Sequence, residues 1–352
     1  MSDEIQFNDM VERVKNALAG STSASGATML PTETSDEIIQ LVYERNFMRS
    51  LFSAMPMNRR MVNVPKLTGS VSFHQQTLDA TTSGTAATES SQTTNEITLE
   101  LKTMIANVPI GNYLIAYGVE GLLAVLRDDI ASRLAYNETS LLINGDTVIT
   151  TAYADNINGI YNASLNVTGV NATTNDYLLV FDGLRKSASA TSVSVSGVFA
   201  VANLRTAISN LGSYADNRDE LALIVPRNLE VQMLGLDELQ TVDKYGAGAT
   251  ILSGELGRIY GIRTFATGAI PTNLDYLGVF DATATTATQT VAVLVNTRSP
   301  LIGNPTDADR RFSIGFVDEP TKDRFVLVPR QDIAFGVRYT DAVCLLRGID
   351  VV

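Results

Sequence analysis

The feature that most restricts how this 352-residue chain can fold is a polar tract set between strand-like stretches. Residues 80–95 read Ala-Thr-Thr-Ser-Gly-Thr-Ala-Ala-Thr-Glu-Ser-Ser-Gln-Thr-Thr-Asn, with no large apolar side chain. Met61-Val-Asn-Val-Pro65 and Val71-Ser-Phe73 precede the tract as short strand-like pieces, and Glu96-Ile-Thr-Leu-Glu-Leu-Lys102 follows it with strict alternation. Alternation of that kind marks a half-exposed strand. Two strands joined by a tip that buries nothing are not stable alone. The arm therefore needs another surface to lie on. From Thr68 to Leu101 it carries the acids Asp79, Glu89, Glu96 and Glu100 and neither lysine nor arginine.

Residue counts then remove whole classes of function. One cysteine, Cys344, allows no intrachain disulfide and no cysteine-based metal cluster. One histidine, His74, leaves no histidine pair for zinc. The chain is therefore expected to hold no cofactor or metal and not to be an enzyme, although a carboxylate-only site stays open. A net charge of −12 argues against a dedicated nucleic-acid binder. The longest apolar runs, such as Leu221–Pro226, are strand-sized, so no membrane contact is expected. The start Met1-Ser-Asp-Glu-Ile lacks a basic-then-apolar leader, which makes cytosolic synthesis the default expectation.

Along the chain, Ile5, Met10, Val11, Val14 and Leu18 fall at roughly helical spacing, and Gly20–Gly26 reads as a linker. Ser35 suits the N-cap of a second small helix. Residues 117–143 form the clearest helix, with Leu122, Leu126, Ile130, Leu134 and Leu141 on its apolar stripe and Gly145 as a stop. Its length would be about 35–40 Å. Beyond it, residues 201–211 and 228–239 read as helices, while 193–199, 221–226, 257–265 and 291–295 read as strands. The tail reads as strands at 312–317, 325–328 and 333–346. Residues 298–352 hold eight bases and eight acids, against 18 and 30 in the remainder, so the tail is neutral.

This order of elements resembles the major capsid proteins of tailed bacteriophages with the Hong Kong ninety-seven fold, an α+β architecture. The resemblance runs from about residue 27 to the end and rests on short motifs in sequence order. Asn144-Gly-Asp146 is similar to the family's ending of its spine helix, and Asn158-Gly-Ile160 to the turn that opens the axial domain. Leu223-Ile-Val-Pro-Arg227 and Tyr260-Gly-Ile-Arg263 resemble axial-domain strands, and Asp332-Ile-Ala-Phe-Gly-Val-Arg338, continuing to Leu346, resembles the final peripheral-domain strand. The resemblance implies an N-terminal arm over 1–58 and an E-loop hairpin over 59–106. A peripheral domain with its spine helix follows over 107–150, an axial domain over 151–300, and a return to the peripheral sheet over 301–352.

What the resemblance implies is a structural subunit that self-assembles, through hexamers and pentamers, into an icosahedral capsid around double-stranded DNA. Expected partners are further copies of the chain, a separate scaffolding protein, a portal, a possible decoration protein, and packaged DNA without sequence-specific contact. Expected localisation is the virion, assembled in the host cytoplasm. An encapsulin-like compartment shell is the alternative, and a Thr-rich adhesin a more distant one. The type member cross-links an E-loop lysine to a neighbour; here only Lys66 and Lys102 flank the hairpin, so no covalent cross-link is expected.

Opposite charge would steer the acidic hairpin of Asp79, Glu89, Glu96 and Glu100 onto a neighbour's arginines. Candidates are Arg310, Arg311, Arg324, Arg330, Arg338 and Arg347. Asp237, Glu238, Asp243 and Lys244 are candidates for the capsomer axis. His74 reads as a surface residue, Cys344 as a small core residue, and Asp128-Asp129 as a solvated or intersubunit helix face. The sequons at Asn137, Asn162, Asn166 and Asn171 read as by-products of a Thr/Asn-rich β protein.

Overall fold

A computed structural model describes residues 47–69, 71–73, 90–112, 122–148, 157–158, 177–188, 191–236, 258–280 and 288–351. The helix expected at Ser35, His74, the hairpin tip and the 237–249 loop lie outside these residues. Within them the chain forms two six-stranded sheets, a two-stranded hairpin and one long helix.

The first sheet is organised around its longest strand. It contains β1 (Ser53–Met57), β4 (Lys102–Ile105), β5 (Val108–Gly111), β11 (Pro300–Pro305), β12 (Ser313–Glu319) and the 14-residue β13 (Arg324–Val337). β4 and β5 keep one register against β13: Lys102 faces Ile333, Ile105 faces Arg330, Val108 faces Leu327 and Gly111 faces Arg324. They are one antiparallel strand interrupted at residues 106–107. β12 pairs the same Arg324–Leu327 stretch, so it flanks β13 from the other side. β1 adds to β11 in parallel, and β11 pairs β13 near its end.

The second sheet has the order β6 (Ser192–Gly197), β14 (Val343–Asp350), β10 (Gln289–Asn296), β7 (Leu221–Pro226), β9 (Ile262–Thr267) and β8 (Arg258–Ile259). β7 is apolar at every position and β10 from Val291 to Val295, because both faces of the sheet are covered there. Val291, Val293 and Val295 of β10 join one core cluster, with Ala222, Ile224, Val343 and Leu345. Ala292 and Leu294 point the other way, to Leu223, Cys344 and Leu346. Helix Val201–Asn210 lays Leu204 and Ala207 on that second face, and helix Arg227–Leu234 adds Leu229 and Met233. The first cluster also takes Leu141, Leu142 and Ile143 of the long helix and Phe335 of β13. One core thus joins helix and both sheets.

Several expectations are met and four are corrected. The β7 strand and the 201–211 helix stand where the sequence placed them, and the long helix is described from Leu122 to Asn144. Helix 228–239 ends sooner, at Leu234, where the Gly235 amide donates to the Gln232 carbonyl and closes the last turn. Val71-Ser-Phe73 form no strand. The single tail strand 333–346 is two: β13 ends at Val337, and after a short turn at Thr340–Ala342 the chain enters the other sheet as β14. Within 257–265 a tight hairpin turn intervenes, with Tyr260 at φ 52° and Gly261 at φ 81°. Two consecutive positive φ values match the type I′ turn that suits strand twist.

Candidate assembly surface

The hairpin is built from β2 (Met61–Leu67) and β3 (Thr94–Glu100), paired antiparallel from Met61–Glu100 to Leu67–Thr94. Among the described residues, its root is the anchored part. Val64 and Leu99 pack with Met57, Leu301 and Ala334 of the first sheet. Gly336 admits this contact, because a Cβ there would stand 2.8 Å from a methyl of Leu99. Further out the apolar side chains face solvent: Leu67 and Val71 are exposed, and Phe73 is 97% exposed. Burying a phenylalanine contributes about 1.5–3 kcal/mol. The arm thus presents apolar groups that the other described residues do not cover.

The structure divides the candidate charged residues into engaged and available ones. Glu100 accepts from Arg60 at 2.9 Å and Glu96 from the Asn63 amide at 3.1 Å, both within the hairpin. Arg310 reaches Asp332 at 3.3 Å, Arg311 donates to the Pro305 carbonyl at 3.0 Å, and Arg324 donates to Glu319 at 2.6 Å. That last hydrogen bond holds the Glu319 carboxyl below its ordinary range. Arg338 and Arg347 are half-buried, each with its Nε shielded from water and unbonded. Arg330 is exposed and forms no ion pair among the described residues. Asp79, Glu89, Asp237, Glu238, Asp243 and Lys244 lie outside the described residues.

At the hairpin root a cleft of about 1070 Å³ opens between the β1–β2 turn and the first sheet. Arg59, Arg60, Lys102 and Arg310 line it against Asp307 and Asp332, so its charge balance is basic. Arg59 and Lys102 form no ion pair among the described residues.

Sequence reasoning missed the two polar clusters that fix these surfaces. In the first, Arg49 clasps Glu138 of the long helix with Nε at 2.6 Å and a terminal nitrogen at 3.1 Å. The same guanidinium donates to Asn304 at 2.9 Å, and Gln331 of β13 donates to Glu138 at 2.8 Å. Glu138 is wholly buried. One carboxylate thereby binds the entering chain, the helix and the first sheet.

The second cluster closes the helix. Asn144 accepts from buried Arg185 at 2.7 Å and donates to the Ala269 carbonyl at 2.8 Å. Asp146 accepts from the Ile157 amide at 2.8 Å and from Lys186 at 3.2 Å. Gly145 and Gly183 approach so closely that a Cβ on Gly183 would sit 2.7 Å from the Gly145 nitrogen. Asn144-Gly-Asp146 is thus a junction between the helix and the second sheet. The motif was visible in sequence; its partners were not.

Among solved structures the fold is similar to "Microbacterium phage Oxtober96" (13% identity, TM-score 0.56), with 95% of this chain and 98% of that one aligned. It is similar to "Capsid of empty GTA particle computed with C5 symmetry" (14%, TM-score 0.54; 96% and 98%). It is also similar to "Satellite phage P4 procapsid including size determination (Sid) protein" (17%, TM-score 0.53; 100% and 99%). No curated protein matches the sequence significantly. The phage capsid family matches residues 26–265. With that match over about two thirds of its length, the chain belongs to the phage capsid family, and it is a structural subunit of a phage capsid shell.

Proposed function

We propose that the subunits form hexamers and pentamers of an icosahedral shell around double-stranded DNA, each hairpin lying across the adjacent subunit. The observation that carries this reading is the arm itself, anchored at its root and exposing Leu67, Val71 and Phe73 beyond it. The arm's acids steer it and its apolar residues hold it. Each exposed charge pair contributes only about 0–1 kcal/mol, so strength comes from repetition through the shell. Arg330 is the favoured landing point among the six arginines, because it alone of them is exposed with neither an ion pair nor a side-chain hydrogen bond among the described residues, Arg338 and Arg347 being half-buried. In this reading 1–58 is the arm, 59–106 the E-loop, 107–150 the peripheral domain with its spine helix, 151–300 the axial domain and 301–352 the return to the peripheral sheet, except that the last strand, β14, joins the second sheet. The loop carrying Asp237, Glu238, Asp243 and Lys244 faces the capsomer axis.

The shell is noncovalent, since the hairpin has no lysine between Thr68 and Leu101. Scaffolding comes from a separate protein, a portal and a possible decoration protein complete the particle, and assembly takes place in the host cytoplasm. The test is to replace Leu67 and Phe73 with serine and follow particle formation by sedimentation. Folded subunits that no longer form particles are expected. Particle yield equal to that of the unaltered chain would overturn the role of the arm.

A further inference from the structure

A second groove, of about 800 Å³, runs between the long helix and the β4–β5 strand. Ile130 and Leu134 line it from the helix and Ile105 and Val108 from the strand. Ile105 is 62% exposed although Met104 beside it is buried. Lys102, Arg133 and Asp129 also line the groove, two bases against one acid.

Two features say what covers this groove. The first is where the chain arrives. Arg49 holds Glu138, which directly follows Asn137 of the groove wall and stands one helical turn beyond Leu134. Phe47, where the described chain begins, therefore stands near the groove's edge. Residues 19–46 are 28 in number, and a connection of that length, coiled or partly helical, spans about 30–40 Å, enough for residues 1–18 to reach the groove. Such a tether keeps residues 1–18 near the groove at roughly millimolar effective concentration.

The second feature is chemical match. Phe7, Met10, Val11, Val14 and Leu18 recur at the three- and four-residue steps of one helical stripe. Asp3, Glu4, Asp9 and Glu12 outnumber Arg13 and Lys15, which complements the basic rim.

We infer that residues 1–18 dock as an amphipathic helix in this groove of their own chain, with the apolar stripe on Ile105, Ile130 and Leu134. A helix laid in a groove is a common recognition mode. The groove's strand wall, Lys102–Ile105, continues directly from the hairpin strand β3. Occupancy of the groove would therefore stiffen the hairpin root before subunits meet.

The test uses the full-length unassembled subunit. Cysteines are placed in pairs, Met10→Cys with Ile105→Cys and Val14→Cys with Ile105→Cys, and the protein is mildly oxidised. Native Cys344 is buried, its thiol pushed up to about 12, and does not compete. An intrachain disulfide should form about tenfold faster than in the polar-face control Glu12→Cys with Ile105→Cys. Equal rates in all three would overturn the inference. Disulfide-linked dimers would overturn it too, by giving the groove to a second copy. Independently, Val14→Glu should speed amide exchange over 102–108 and 130–137 roughly tenfold; unchanged exchange would count against docking. Both readouts are made on monomers, so they stand apart from the shell reading.

Discussion

Arg49 and Glu138 meet as a two-pronged ion pair, Nε to Oε1 at 2.6 Å, with the carboxylate wholly buried. They stand 89 residues apart in the chain, and their contact closes the N-terminal segment onto the long helix. Arg49→Ala leaves a buried carboxylate without its main counter-charge, a change that costs about 3–5 kcal/mol. A urea unfolding series should show the midpoint falling accordingly. The double variant Arg49→Met with Glu138→Leu should recover a good part of the loss, because it removes both charges together. Equal instability in single and double variants would show that the apolar replacement cannot be packed there.

The junction at Gly145 and Gly183 has no room for a side chain. A Cβ at Gly145 would lie 2.7 Å from the Leu141 carbonyl oxygen and still closer to that of Phe181. Gly145→Ala must therefore push the end of the long helix away from the Phe181–Gly183 backbone, at about 1–3 kcal/mol or more. Thermal melting should detect it, with Gly268→Ala as a control, since nothing lies within 4 Å of a Cβ there.

Much of the second sheet was legible because the pattern needed only one explanation. Leu221–Pro226 is apolar throughout, and burial on both faces is what such a run requires. The same signal misled at the tail. Ile333–Leu346 keeps its apolar character across a change of sheet, and only the polar Tyr339-Thr-Asp341 marks the break. The hairpin was legible through what it lacked, namely anything to bury at its tip. The Glu138 cluster was not, because Arg49, Asn304 and Gln331 come together only through tertiary packing. Nor does sequence reveal that Arg310 is already engaged by Asp332.

Glu319 gives a local pH dependence. The hydrogen bond from Arg324 lowers its carboxyl pKa, so its contribution is present above the ordinary carboxylate value and lost as pH falls through the lowered one. Acidification should loosen the β12–β13 turn at Pro320–Lys322, read as faster amide exchange there after correction for intrinsic rates. Glu319→Gln should show the loosened turn at neutral pH and little further change on acidification.

Cys344 should be silent towards thiol reagents in the folded protein. Burial pushes its thiol up to about 12, and the reactive thiolate is then scarce at neutral pH. Mass spectrometry after alkylation should find no label in buffer and one label in denaturant.

Two charge reversals separate docking from folding. Arg310→Glu places a carboxylate against Asp332, whose side chain is 5% exposed, and should destabilise the subunit. Arg330→Glu removes no ion pair from the described residues and should change stability by no more than about 0.5 kcal/mol. Its effect should appear in assembly, as slower particle formation that becomes less distinct from the unaltered chain at high salt. Unchanged assembly at low salt would remove Arg330 from the contact.

The most direct test of the account is electron microscopy of the purified full-length protein under assembly conditions. Closed icosahedral shells are predicted, with each hairpin lying over the adjacent subunit and its Phe73 covered there. Dispersed monomers at all concentrations, or shells in which the hairpins extend into solvent without touching a neighbour, would contradict it.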